Sequence, residues 1–68
     1  MTDIVTVEQA QAYVVARLAE WNIDAVIGDA SYSQEPGENN MCMVDVIEVG
    51  VTRTFDVWIE NGEIYGEY

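Results

Sequence analysis

Five carboxylates and two aromatic rings fall at alternate positions in the last third of the chain. Asp45 lies on one alternating segment, Asp56, Trp58 and Glu60 on the next, and Glu63, Tyr65 and Glu67 on the last. Alternate residues of a strand share a face, so this spacing predicts one side of a sheet that carries all seven. Carboxylates so gathered could do three kinds of chemistry. A pair with one raised pKa could act as acid and base. Several converging oxygens could hold a hard cation. An extended row could present negative charge to a basic surface.

The first two do not fit the rest of the chain. Acid–base work needs a cleft that raises one pKa, and a flat single-layer sheet offers none. There is no histidine or lysine, and no nucleophile elbow or glycine-rich phosphate loop. Asp29, Glu35 and Glu38 lie in or near one loop, but no Asp-x-Asp-x-Asp-Gly run accompanies them. The expectation is a protein that is not an enzyme and has no catalytic residue, cofactor or built metal site.

The third chemistry fits the composition. Thirteen Asp and Glu stand against two Lys and Arg, for a formal net charge of −11 over 68 residues. Solubility needs only a modest net charge with both signs mixed, and one-signed charge repels itself in the compact state. The length is that of one domain, 1–68, and a chain of this size buries only about 60 % of its unfolded surface. A hydrophobic fraction of 50 % supplies a core and argues against disorder.

Cys42 is the single cysteine, so no intrachain disulfide or zinc motif forms and nothing points to an oxidising compartment. The N-terminus lacks a basic segment followed by an apolar run and does not read as a signal peptide. No apolar stretch is long enough to cross a bilayer. Anionic lipid and nucleic acid would repel this charge. The expected setting is cytoplasmic and the expected partner is a basic protein surface, with no direct contact to nucleic acid or membrane.

The elements that must position the acids can be placed along the chain. Thr6 and Gln9 have capping-box spacing, Glu8 suits the first turn, and Val7, Ala10, Val14, Leu18 and Trp21 form one helical stripe. This predicts a helix over 7–21, stopped by Asn22 in a left-handed conformation. Residues 23–32 read as a strand with a bulge at Gly28, and 33–40 as a loop. Residues 41–49, 52–60 and 63–68 read as strands, joined by Gly50-Val51 and by Asn61-Gly62, the strongest short hairpin signal. The fold class is α+β: one N-terminal helix packed on one face of a four-stranded antiparallel meander sheet.

These turns predict a register. Glu60 faces Glu63, Trp58 faces Tyr65, Asp56 faces Glu67 and Phe55 faces Tyr68. Across the other turn Asp45 faces Asp56, Val44 faces Val57, Met43 faces Trp58, Cys42 faces Ile59 and Glu48 faces Arg53. Cys42, Val44, Val46, Phe55, Val57, Ile59, Ile64 and Tyr68 then form an apolar face for the helix. The other face holds Asp45, Asp56, Glu60, Glu63 and Glu67 around Met43, Trp58 and Tyr65. Acid directly opposite acid is destabilising. Carboxylates at alternate residues recur roughly every 7 Å, near the ~6–7 Å between successive phosphates.

This face has two readings: a phosphate-backbone mimic, or a solvated surface. Trp58, Tyr65 and Met43 are either an anchor for a partner, since aromatics are enriched there, or a second small core covered by loop 33–40 or by another copy. Cys42 and Trp21 read as core. Arg17 and Arg53 read as structural.

In size, charge and acidic sheet face the chain resembles the small phage-encoded inhibitors that imitate DNA, which include anti-CRISPR proteins, type I among them, and the inhibitor of uracil-DNA glycosylase. That resemblance implies a non-enzymatic phage protein in the bacterial host cytoplasm. It would dock on a nucleic-acid-binding protein, such as a CRISPR surveillance complex subunit, as a monomer or homodimer. The segment Val7-Glu8-Gln9-Ala10 with its helix, and Thr54 to Ile64, also resemble a PepSY-type helix-plus-hairpin unit. That resemblance implies an interaction module linked to peptidase inhibition.

Overall fold

The computed structural model describes residues 4–33 and 41–68. In chain order it contains α1 (Val7–Glu20), β1 (Val26–Tyr32), β2 (Cys42–Glu48), β3 (Val51–Glu60) and β4 (Glu63–Glu67). The strands form one antiparallel sheet in the order β1-β2-β3-β4, and α1 packs over β1, β2 and β3. This is the expected helix on a four-stranded meander.

Local chemistry explains both ends of α1. The Gln9 backbone N–H donates to Thr6 Oγ1 at 3.1 Å, and the Thr6 N–H donates to Gln9 Oε1 at 2.9 Å. Two otherwise unpaired donors are thus satisfied. Val5 and Ala10, on either side of this cap, are both fully buried in the core, which fixes the angle at which the chain enters the helix. At the other end Asn22 takes φ 59°. Its N–H donates to the Ala19 carbonyl at 3.1 Å, and the Ile23 N–H donates to the Leu18 carbonyl at 2.9 Å. This is the two-bond closure of a left-handed helix stop. It takes up Ile23, so β1 begins at Val26 and not at residue 23.

The core joins Ala10, Val14 and Leu18 of α1 to Cys42, Val44 and Val46 of β2 and to Phe55 and Val57 of β3. Cys42 is fully buried there, and burial pushes its thiol pKa up. The Tyr32 hydroxyl donates to the Val5 carbonyl at 2.7 Å and ties the helix lead-in to the end of β1. In β1, Ile27 pairs with Val46 and Ala30 with Val44, so Gly28 and Asp29 together oppose Asp45. That two-against-one count is the bulge expected at Gly28. It lets both Ile27 and Ala30 pack against the core.

The β3–β4 register is the expected one, from Glu60 opposite Glu63 to Asp56 opposite Glu67. The β2–β3 register is not. Glu48 pairs with Val51, so the turn is Val49-Gly50, with φ of 44° and 79°. Both central residues are left-handed, as in the turn that matches strand twist, and glycine takes the second position as it does in Asn61-Gly62. The slip is two residues, so every side chain keeps its face. It changes the neighbours: Asp45 opposes Thr54, Met43 opposes Asp56, Val44 opposes Phe55, Cys42 opposes Val57 and Val46 opposes Arg53. The expected Asp45–Asp56, Met43–Trp58, Val44–Val57, Cys42–Ile59 and Glu48–Arg53 pairings are therefore replaced. One like-charge opposition disappears in the exchange, which favours the observed register.

Trp21, expected in the core, is 48 % exposed. It stacks on Phe55 at 5.9 Å and 11°, and Phe55 stacks in turn on Tyr68 at 5.3 Å. Tyr13 meets Phe55 edge-on at 6.0 Å. Gly66 opens the space for this cluster, because a Cβ there would run into the ring edges of Tyr13 and Phe55.

Two stability changes follow. Gly66→Ala overpacks the cluster and lowers unfolding free energy by about 1–3 kcal/mol. Val49→Asn, at a β-branched residue held left-handed and 92 % exposed, raises it by about 1 kcal/mol. Urea denaturation of the two variants beside the parent measures both.

Candidate protein-docking face

The side of the sheet away from α1 carries all seven residues singled out by their spacing. Strand alternation puts Asp45 of β2, Asp56, Trp58 and Glu60 of β3, and Glu63, Tyr65 and Glu67 of β4 on this face. The Asn61-Gly62 turn, with φ of 54° and 80°, sets how they meet. Glu60 lies opposite Glu63, Trp58 opposite Tyr65, and Asp56 opposite Glu67. An aromatic pair thus sits between two acid pairs.

The rings are nearly parallel, at 24° and 6.2 Å between centroids. Trp58 is half-buried and Tyr65 is 38 % exposed. The Tyr65 hydroxyl donates to Glu63 Oε2 at 2.9 Å, which raises its own pKa, the hydrogen bond first and the nearby charge second. Asp56 is half-buried, and its pKa is raised, first by loss of solvent and then by the Glu67 charge opposite. Asp45 stands apart from these pairs. It lies between Thr54 and the β1 bulge, where a Cβ on Gly28 would be 3.4 Å from its own.

Neither arginine serves this face. The chain has two basic residues, and both are engaged elsewhere. Arg17 Nη1 bonds Glu20 Oε2 at 2.6 Å, and its guanidinium lies 4.9 Å over the Tyr13 ring. Arg53 Nε approaches Glu48 Oε2 at 3.8 Å, although the two are not cross-strand partners, and the Tyr68 hydroxyl donates to the same oxygen at 3.1 Å. Among the described residues the five outer carboxylates face each other and the two rings; the loop expected over 33–40, offered as a cover for Trp58 and Tyr65, lies outside the described residues but for Ser33. Among the described residues no three histidine, cysteine or acidic side chains gather closely enough to hold a metal ion.

Two features escaped the sequence reading. The far end of the outer face is apolar: Val26 opposes Ile47 and Ile47 opposes Thr52, with Val26 64 % and Ile47 39 % exposed. A groove of about 440 Å³ also runs between α1 and β1, lined by Val15, Ala19, Ile23 and Val26 among others. The groove depends on how far the helix extends over the sheet, and the apolar end on the strand register, and no local motif signals either.

The molecule is, by its architecture, a small α+β protein that lays one helix on one face of a four-stranded antiparallel meander. No protein family, no characterised protein and no solved structure matches the chain. Among the described residues no helix is long and apolar enough to cross a membrane.

The raised Asp56 pKa has a definite sign. The folded state holds this proton more tightly than the unfolded state, so its contribution to stability is complete below the unfolded pKa. It is lost as pH rises through the folded value. Asp56→Asn removes a half-buried charge facing Glu67 and should raise stability at pH 7 by about 0.5 kcal/mol. The gain should shrink towards zero near pH 2.5, where the carboxyl is protonated in both states. Urea denaturation at the two pH values checks it.

Proposed function

We propose that this protein is a non-catalytic inhibitor that docks its outer sheet face into the nucleic-acid-binding cleft of another protein. The two opposed acid pairs stand in for backbone phosphates. Asp56 and Glu60 lie four residues apart on one strand, roughly 13 Å, or about two phosphate intervals, and Trp58 fills the position between them. Trp58 and Tyr65 supply the apolar anchor that a purely charged contact lacks. The carrying observation is a face with five carboxylates and no arginine or lysine to neutralise them. A surface built only for solubility would mix the two signs.

The target class that the acidic-mimic resemblance implies is a bacterial defence protein such as a CRISPR surveillance complex, met in the cytoplasm. Affinity capture on the tagged protein from a CRISPR-bearing bacterial lysate, eluted by salt, tests this. The expected catch is a nucleic-acid-binding protein that duplex DNA displaces. Its affinity should fall roughly tenfold or more between about 50 and 300 mM salt. Charge reversal at Glu60, Glu63 and Glu67 should abolish capture. Unchanged affinity in that variant would sink the proposal. A partner that ignores salt but is lost on Trp58→Ala/Tyr65→Ala would favour the interaction-module reading, which the exposure of Tyr65 supports.

A further inference from the structure

The acids and rings of the outer face are not scattered. Along β3 the outward residues run Asp56, Trp58, Glu60, and along β4 they run Glu63, Tyr65, Glu67. Each ring is bracketed on its own strand by carboxylates two residues away on either side, roughly 7 Å along the strand. The rings are near-parallel, with centroids 6.2 Å apart, so each has one face turned away from its partner. β4 is an edge of the sheet, which leaves Tyr65 approachable from beyond the edge.

Lysine and arginine would use such a surface differently. An ammonium is a compact, strongly hydrated charge that gains little from a ring face. A guanidinium is flat and weakly hydrated, stacks on an aromatic face, and projects N–H donors sideways towards carboxylates. Acid pairs alone would serve lysine as well as arginine. Rings flanked by acids on both sides suit the planar cation. The protein already seats one guanidinium on a ring beside a single acid: Arg17 lies 4.9 Å over the Tyr13 ring while its Nη1 bonds Glu20.

We infer that the outer face is an arginine-selective docking surface with two guanidinium seats. One lies on Trp58 between Asp56 and Glu60, the other on Tyr65 between Glu63 and Glu67. The partner surface it fits is therefore rich in arginine. This rests on the acidic-docking reading above and narrows the chemistry of the partner.

Isothermal titration of the full chain with a short alternating Arg-Gly peptide, and with its Lys-Gly counterpart of equal charge, decides the matter. At about 50 mM salt the arginine peptide should bind about tenfold tighter. Trp58→Leu/Tyr65→Leu should shrink that preference below about twofold, and Trp58→Phe/Tyr65→Phe, which keeps both ring faces and the fold, should retain most of it. Glu60→Gln/Glu63→Gln should weaken both peptides alike. Equal affinities that still depend on the acids would overturn arginine selectivity and leave acidic docking standing. Binding of neither peptide would overturn both.

Discussion

One helix can cover only one side of this sheet, and most of the structure depends on that limit. A helix is about 10 Å across and neighbouring strands lie about 4.8 Å apart, so α1 seals little more than two strands. The burial pattern shows the consequence. Fully buried residues alternate along β2 and the middle of β3, whereas neither β1 nor β4 has any. Ile64 and Tyr68 point to the helix side yet remain 37 % and 38 % exposed, because α1 reaches β4 only through the Tyr13 and Trp21 rings, at Gly66 and Tyr68. The apolar residues of β2 and β3 have one place to go. Strand parity then forces their neighbours, Asp45, Asp56 and Glu60 among them, to the other side.

That forced partition made much of the molecule readable in advance. Thr6, Gln9 and Asn22 mark a helix by interactions within a few residues, and Asn61-Gly62 determines a hairpin by its own backbone preference. Such local signals predicted α1, the β3–β4 register and the membership of the acidic face. The Gly50-Val51 turn failed for a reason that is not local. Its glycine also suits the second position of a Val49-Gly50 turn, and the choice between them rests on cross-strand partners. The observed pairing relieves Asp45 of Asp56, while Phe55 meets a valine in either register, Val46 in the expected one and Val44 in the observed one. Trp21 was misplaced similarly. Its stripe position marks a core-facing side, but whether the core extends that far depends on Phe55 and Tyr68, which arrive from the other end of the chain.

The charge of −11 bears unevenly on this frame. Arg17 and Arg53 neutralise Glu20 and Glu48, and neither serves the outer sheet face. The acids of that face oppose each other directly in two pairs, an arrangement that works against folding. The Trp58–Tyr65 contact between them works in the opposite direction, since aromatic cross-strand pairs are among the stronger stabilisers of a sheet. The same two rings therefore hold the strands together against the repulsion and present the apolar centre of the exposed surface. A bound cation would relieve the repulsion as well, so docking and folding favour the same end.

Register and parity contribute differently to how well defined that surface is. A two-residue slip between β2 and β3 leaves the face of every side chain unchanged and alters only its neighbours. Asp45 is on the acidic side in either register, but its position relative to Asp56 depends on a turn with a valine at φ 44°, a conformation that β-branched residues resist. Asp56, Glu60, Glu63 and Glu67 depend on the Asn61-Gly62 turn instead, which has no competing register. The four acids and two rings of the β3–β4 hairpin are thus placed by a single turn, and Asp45 depends on a second, strained one. A partner that reads spacing would read the hairpin, and Asp45 would add charge without adding geometry.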